Sequence, residues 1–153
     1  MFYTWIRIKD GDPKAYEIFK RHYTALPYRR RPRGNGTLFV GPGEKIVLIT
    51  PGCNALFVWR KMKPGYDKSG QIGVNCSVFR NEGDQLSSSL ILEAEKLAWE
   101  RWPGERLYTF INSKKIKSSN PGCCFLKAGW RKCGYTKKRH LLILEKYPIP
   151  DLR

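Results

Sequence analysis

The chain has 153 residues, 41% apolar and 13% aromatic, which suits one domain (1–153) with one core and is too apolar for disorder. No run of about eighteen apolar residues occurs, and the N-terminal segment lacks a signal-peptide core, so a membrane span is excluded and a cytoplasmic location expected. The formal net charge is +16, and every charged residue from Arg106 to Leu144 is basic, so the expected partner is a polyanion such as nucleic acid.

Phe2–Ile8 is rich in aromatic and β-branched residues and reads as a first strand. Gly11-Asp12-Pro13 supplies an N-cap followed by proline at the first helical position, and Tyr16, Phe19 and Tyr23 share a face, giving a helix over 13–24. Pro27 ends it, and residues 28–36 form a basic, glycine-rich surface loop. Lys45–Thr50 and Ala55–Trp59 are two apolar runs around the Pro51-Gly52 turn, a hairpin. Ile72–Phe79 alternates as a central strand. Leu90, Ala94, Leu97, Ala98 and Trp102 form a helical stripe with Glu93, Glu95 and Lys96 off it; serines 87–89 cap its start and Pro103-Gly104 stops it, so a helix spans about 88–101. Arg106–Ile111 is a strand, Asn120-Pro121-Gly122 begins a short helix through Ala128, and Gly129 closes it in the left-handed conformation. Trp130–Tyr135 and His140–Lys146 are the closing strands. The class is α/β in the wider sense, a mixed sheet flanked by helices.

From Ile72 onward this order resembles the GCN5-related N-acetyltransferase family. Asn120-Pro-Gly-Cys-Cys-Phe-Leu-Lys-Ala-Gly-Trp130 is similar to the family's late motif, an asparagine and a short helix with Tyr-x-Lys-x-Gly-Phe, and Cys133-Gly134-Tyr135-Thr136 matches the glycine of the next strand. The resemblance implies a splay between strands 72–79 and 106–111 that receives the pantetheine arm of acetyl-CoA or a related acyl-CoA. It also implies that the pyrophosphate rests on the N-terminus of the long helix, where free N–H groups favour an anion. Arg80, Gly83, Ser87 and Ser88 would bind it. The loop reads Arg80-Asn-Glu-Gly83-Asp-Gln, so the family's second small residue is missing, and Glu82 and Asp84 oppose phosphate. The family's tyrosine acid is replaced by Phe125, which has no proton to give, leaving Tyr108 and Cys124 as candidate donors; Cys124 has core packing as its alternative. A narrower similarity, carried by Tyr108-Thr-Phe-Ile-Asn112 and the Ala-Gly-Trp segment, is to Mom-type phage DNA-modification proteins. There an aspartate follows the strand, whereas this chain has Asn112, which cannot titrate.

Cys53, Cys76, Cys123, Cys124 and Cys133 lack zinc spacing, so no metal is expected; they read as reduced, mostly buried thiols, with a Cys124–His140 pair as a remote nucleophilic option. Trp59, Tyr66, Trp130 and Tyr135 interleave with basic residues and divide between core packing and base stacking. The candidate nucleic-acid contacts are Arg29, Arg30, Arg31, Arg33, Lys114, Lys115, Lys117, Arg131, Lys132, Lys137 and Lys138. Two functions compete: an acyl-CoA-dependent transferase acting on a nucleic-acid component, with Tyr108 and Asn112 on the acceptor side, and a non-catalytic basic protein on the same fold that binds nucleic acid or protein. A third reading, an inhibitor that mimics DNA, has the wrong charge. Either a monomer or a homodimer suits this composition.

Overall fold

Apolar and β-branched runs at 46–49, 55–59, 74–78, 107–111 and 141–144 supply the strands from which the sheet is built. The computed structural model describes residues 4–22, 38–63, 65–114 and 122–149. Its strands are β1 (Ile6–Ile8), β2 (Glu44–Ile49), β3 (Ala55–Lys61), β4 (Val74–Asn81), β5 (Leu107–Ile111), β6 (Arg131–Tyr135) and β7 (Leu142–Lys146). The helices among the described residues are α1 (Pro13–Lys20), α2 (Ser87–Arg101) and α3 (Cys123–Lys127). The strands form one seven-stranded sheet in the order β1-β2-β3-β4-β5-β7-β6, antiparallel throughout except for the parallel pair β4–β5. The fold is α+β with a mixed sheet.

Element order agrees with the sequence, and several boundaries move. The central strand starts at Val74 rather than Ile72, because Gly73 enters it at φ +129°, where a Cβ would lie 2.3 Å from the Arg106 carbonyl oxygen. α1 ends at Lys20, and Tyr23, Pro27 and loop 28–36 lie outside the described residues. Its start is as expected: Asp12 accepts from the backbone N–H of Lys14 (2.9 Å) and Ala15 (3.1 Å), and Pro13 occupies the first turn. α2 differs, since its N-cap is Leu86 and no side chain caps it. α3 is preceded by Gly122 in the left-handed region, with Asn120 and Pro121 outside the described residues. Gly129 follows it at φ +94°, as expected.

The sheet buries both faces. On one side Leu48, Phe57, Trp59, Val74 and Leu144 pack against α2 and α3 through Leu90, Ile91, Ala94, Phe125 and Trp130. On the other, Val47, Leu56, Val58 and Val78 meet Ala15, Ile18 and Phe19 of α1, with Phe39 and Val40. Two indoles pin α2 to the sheet: Trp5 Nε1 donates to Leu90 O (2.8 Å) and Trp59 Nε1 to Ala94 O (2.9 Å). Trp59 and Trp130 stack in this core at 6.3 Å and are unavailable to bases, whereas Tyr66 and Tyr135 are exposed. The cysteines are reduced, but the expectation that most are buried is corrected: only Cys76 is, and Cys133 is exposed.

Glu95 overturns the helical pattern, because it sits in the buried face rather than off it. Its carboxylate accepts from Trp130 Nε1 (2.7 Å) and Lys146 Nζ (2.7 Å), and the same ammonium donates to Ala128 O (2.7 Å). Burial lifts the Glu95 carboxyl above its ordinary value, and Lys146 and Trp130 oppose the rise. One carboxylate thus ties α2 to β7 and to the end of α3. Glu95→Gln retains an acceptor for Trp130 but strands the Lys146 charge, and should lower unfolding free energy by about 2 kcal/mol in urea titrations. Adding Lys146→Met should restore at least half of that loss.

Candidate functional site

The parallel pair holds for only three registered positions, Val74 with Leu107, Asn75 with Tyr108 and Cys76 with Thr109. Beyond them β4 runs on to Asn81 and β5 to Ile111 without pairing to each other. Where they part, Thr109 Oγ1 donates to Cys76 O (2.9 Å), a side chain standing where a backbone donor would otherwise be. A bulge lies at the same level, since Val58 opposes Val78 while Trp59 opposes Cys76, leaving Ser77 over. Val74 and Cys76 therefore face α2 and α3, Val78 faces α1, and Phe79 turns back toward α2 and α3. A bulge and a lost ladder together leave a slot between β4 and β5.

Phe125 of α3 lies edge-on to Phe79 (5.9 Å) and to Trp130 (4.9 Å), so the position that cannot donate a proton is part of the core. Cys124 is half-buried, and burial pushes its thiol up, with neighbouring Cys123 adding to the rise; Cys124 in turn adds to the rise that burial imposes on Cys76. Asn112 ends β5 and accepts from Lys114 N–H (3.2 Å), the local bond of a turn-forming residue. Tyr108 is buried on the opposite side of the sheet, and its hydroxyl donates to Asp67 Oδ2 at 2.6 Å. Burial and then the Asp67 carboxylate push the phenol well up, while the bonds from Ser69 and Tyr108 overcome burial and hold Asp67 below its ordinary value. Tyr108 pins the loop between β3 and β4, and its proton is already engaged.

The expected cofactor loop is also internally bound. Glu82 accepts from Arg21 Nε and NH2 (both 2.7 Å) and from Arg80 Nε (2.6 Å), so two guanidinium groups converge on one carboxylate. These arginines hold its carboxyl down at about 2. Arg80 is thereby held toward α1, where it also depresses buried His22, held chiefly by burial at about 4. Ser87 Oγ accepts from Asn81 Nδ2 (3.0 Å), Gly83 N–H donates to Asn81 Oδ1 (3.0 Å), and a Cβ on Gly83 would meet the Asn54 side chain at 2.6 Å. Gly83, Ser87 and Asn81 thus shape one loop before α2. Ser88 is half-buried at its first turn, and the Arg80 guanidinium is bonded to Glu82 rather than to these serines.

Lys114, Lys132, Lys137, Lys138 and Arg131 are exposed, whereas Arg29, Arg30, Arg31, Arg33, Lys115 and Lys117 lie outside the described residues. Because Ile111 pairs with Leu142, the β6–β7 turn and Lys114 share the sheet end at which the slot opens. That turn is closed by Thr136 N–H to Leu141 O and Leu141 N–H to Thr136 Oγ1 (both 2.8 Å), and Tyr135 stacks on His140 at 4.5 Å. Glu145 does not offset the turn's charge. It is buried between Arg106 (2.7 Å) and Arg131 (2.6 Å), which overcome burial and hold its carboxyl down.

Sequence reasoning missed a polar row across the α1-facing side. Registered pairing aligns Lys45, Arg60, Asn75, Tyr108, Glu145 and Arg131 on six adjacent strands. No periodicity within one strand reveals such a row, because it exists only once the register is known.

Two outcomes follow from these bonds. Tyr108→Phe should cost about 1–3 kcal/mol of stability, from the loss of a charge-assisted bond, and should speed amide exchange across 65–73. For Glu82, the depressed carboxyl contributes stability above its ordinary 4.5 that is lost as pH falls toward about 2. Glu82→Gln should therefore flatten that acid limb in pH-dependent melting curves. Compared with known proteins, the chain matches no family model, no curated protein and no solved structure.

Proposed function

We propose that this protein is a GCN5-related acyltransferase-type domain that modifies a nucleic-acid component, in the manner of Mom-type proteins, with acetyl-CoA or a related acyl-CoA as donor. The observation that carries the reading is the sheet, in which a single parallel contact parts after three residue pairs beneath a short helix. Backbone groups of β4 beyond Cys76 and of β5 beyond Thr109 have no ladder partner across the slot, and an extended arm with amide groups, such as pantetheine, matches them as an added strand would. Cations at the slot's open end, Lys114, Lys137, Lys138 and Arg139, favour an acceptor carried on a polyanion.

The chemistry would be slow. Phe125 gives no proton, and Tyr108 is engaged with Asp67 on the far side of the sheet. Cys124 is then the candidate donor to a departing thiolate, since burial keeps its thiol protonated at neutral pH. Arg80 would have to leave Glu82 to reach a pyrophosphate, at a cost to cofactor affinity. That commitment also favours the second reading, a non-catalytic nucleic-acid-binding protein on the same fold.

Thermal unfolding with acetyl-CoA separates the two. At a hundredfold excess over Kd the transferase should gain about 2.7 kcal/mol, whereas a protein with no cofactor site gains nothing. Under both readings DNA affinity should fall steeply with salt, and replacing Lys137, Lys138 and Arg139 by alanine should flatten log Kd against log salt by roughly two to three units. A slope unchanged by the three replacements would remove the turn from the interface.

A further inference from the structure

The β6–β7 turn carries more than charge. Tyr135, the last residue of β6, and His140, across the turn, hold their rings nearly parallel, 4.5 Å apart with 7° between the planes. His140 takes its place in the left-handed backbone region, at φ +54°, which residues with a side chain seldom occupy. The turn is closed by the two bonds between Thr136 and Leu141, so the rings are ordered by the chain itself. Tyr135 is nonetheless 54% exposed. With one face of its ring against His140, exposure on that scale leaves the other face to water. Between the two rings in sequence stand Lys137, Lys138 and Arg139, all exposed and none in an ion pair among the described residues. By register Tyr135 opposes Leu142, which opposes Ile111 of β5, and Leu142 and Ile111 belong to the core on the α2 and α3 side. Two strand spacings, about 10 Å, therefore separate Tyr135 from the wall of the slot.

We propose that Tyr135, backed by His140, is a stacking platform for one base of a single-stranded nucleic acid, with Lys137, Lys138 and Arg139 meeting the flanking phosphates. The base adds as a third layer on the open face of Tyr135. Every base has a π face, so the platform distinguishes a strand with bases from a bare polyanion rather than one base from another. Inside a duplex both faces of a base are covered by its neighbours, which restricts the ligand to single-stranded or extruded nucleotides. A base held here leaves the next nucleotides of its strand within reach of the slot. This inference rests on the nucleic-acid reading above and deepens it: the cations attract any polyanion, and the ring selects one whose bases are free.

The test measures binding of a short single-stranded oligonucleotide of mixed sequence and of an abasic strand of equal length and charge, at one moderate salt concentration. The wild-type chain should prefer the base-bearing strand by roughly tenfold, a gap set by stacking. In NMR spectra the Tyr135 ring protons should move upfield with that strand and not with the abasic one. Tyr135→Ala should abolish the preference and leave abasic-strand affinity unchanged, whereas Tyr135→Phe, which keeps the π face, should retain it. Should Tyr135→Ala fail to fold, Tyr135→Leu keeps an apolar strand residue without an aromatic face and carries the test. Equal wild-type affinity for both strands overturns the platform and leaves the electrostatic reading intact. A preference that survives removal of the ring overturns it too, as does one lost in Tyr135→Phe, which would make the contact a hydrogen bond to the hydroxyl. Failure to bind either strand overturns the nucleic-acid reading itself.

Discussion

Everything proposed for this protein depends on β4 and β5 staying together for three residue pairs and then parting. Parallel strands with apolar residues on both sides ordinarily continue their ladder, because each unpaired backbone group left without water is costly. Two local features stop that here. The extra residue Ser77 bends β4 and reverses which face its side chains take, and the Thr109 hydroxyl satisfies the Cys76 carbonyl at the point of divergence. The consequence is a slot whose walls are rigid, since β4 is held by β3 on one side and β5 by β7 on the other. The helix α3 above it is held in place by the Glu95 and Lys146 pair and by the packing of Phe125 between Phe79 and Trp130.

Charge is distributed so that the acidic residues near the site are consumed internally. Glu82 is taken by two arginines, Glu145 by two more, Glu95 by a lysine, and Glu105 is paired with Lys61. The cations around the β6–β7 turn therefore stand without acidic neighbours on their own segment, and the chain's net charge of +16 is felt at the end where the slot opens. Arg131 and Lys132 of β6 also protect a sheet edge from pairing with other chains. Lys137, Lys138 and Arg139 lie beyond the ladder and do not serve that purpose.

How much of this was legible in the sequence follows from the range of the interactions. Asp12-Pro13, Pro103-Gly104 and Gly129 act within a turn of themselves, so element order and most boundaries could be read directly. Glu95 could not, because its reason for being buried is Lys146, 51 residues later. The positions of Tyr108 and Arg80 were misleading for a related reason. Each carries a group suited to chemistry, but Asp67 and Glu82 engage them, and such pairings depend on loop conformation that residue patterns do not encode. The Arg60–Asn75–Tyr108 alignment exists only through strand register, and the Ser77 bulge that changes faces along β4 gives no local signal of glycine or proline.

The central claim is that the opening between β4 and β5 receives an extended, amide-bearing ligand. Hydrogen–deuterium exchange read residue by residue, with and without saturating coenzyme A, tests it most directly. The account predicts slowed exchange confined to Ser77–Asn81, Phe110–Ile111 and the first turn of α2. Unchanged exchange in those segments under saturating ligand, or protection appearing only on the α1 side, would contradict it.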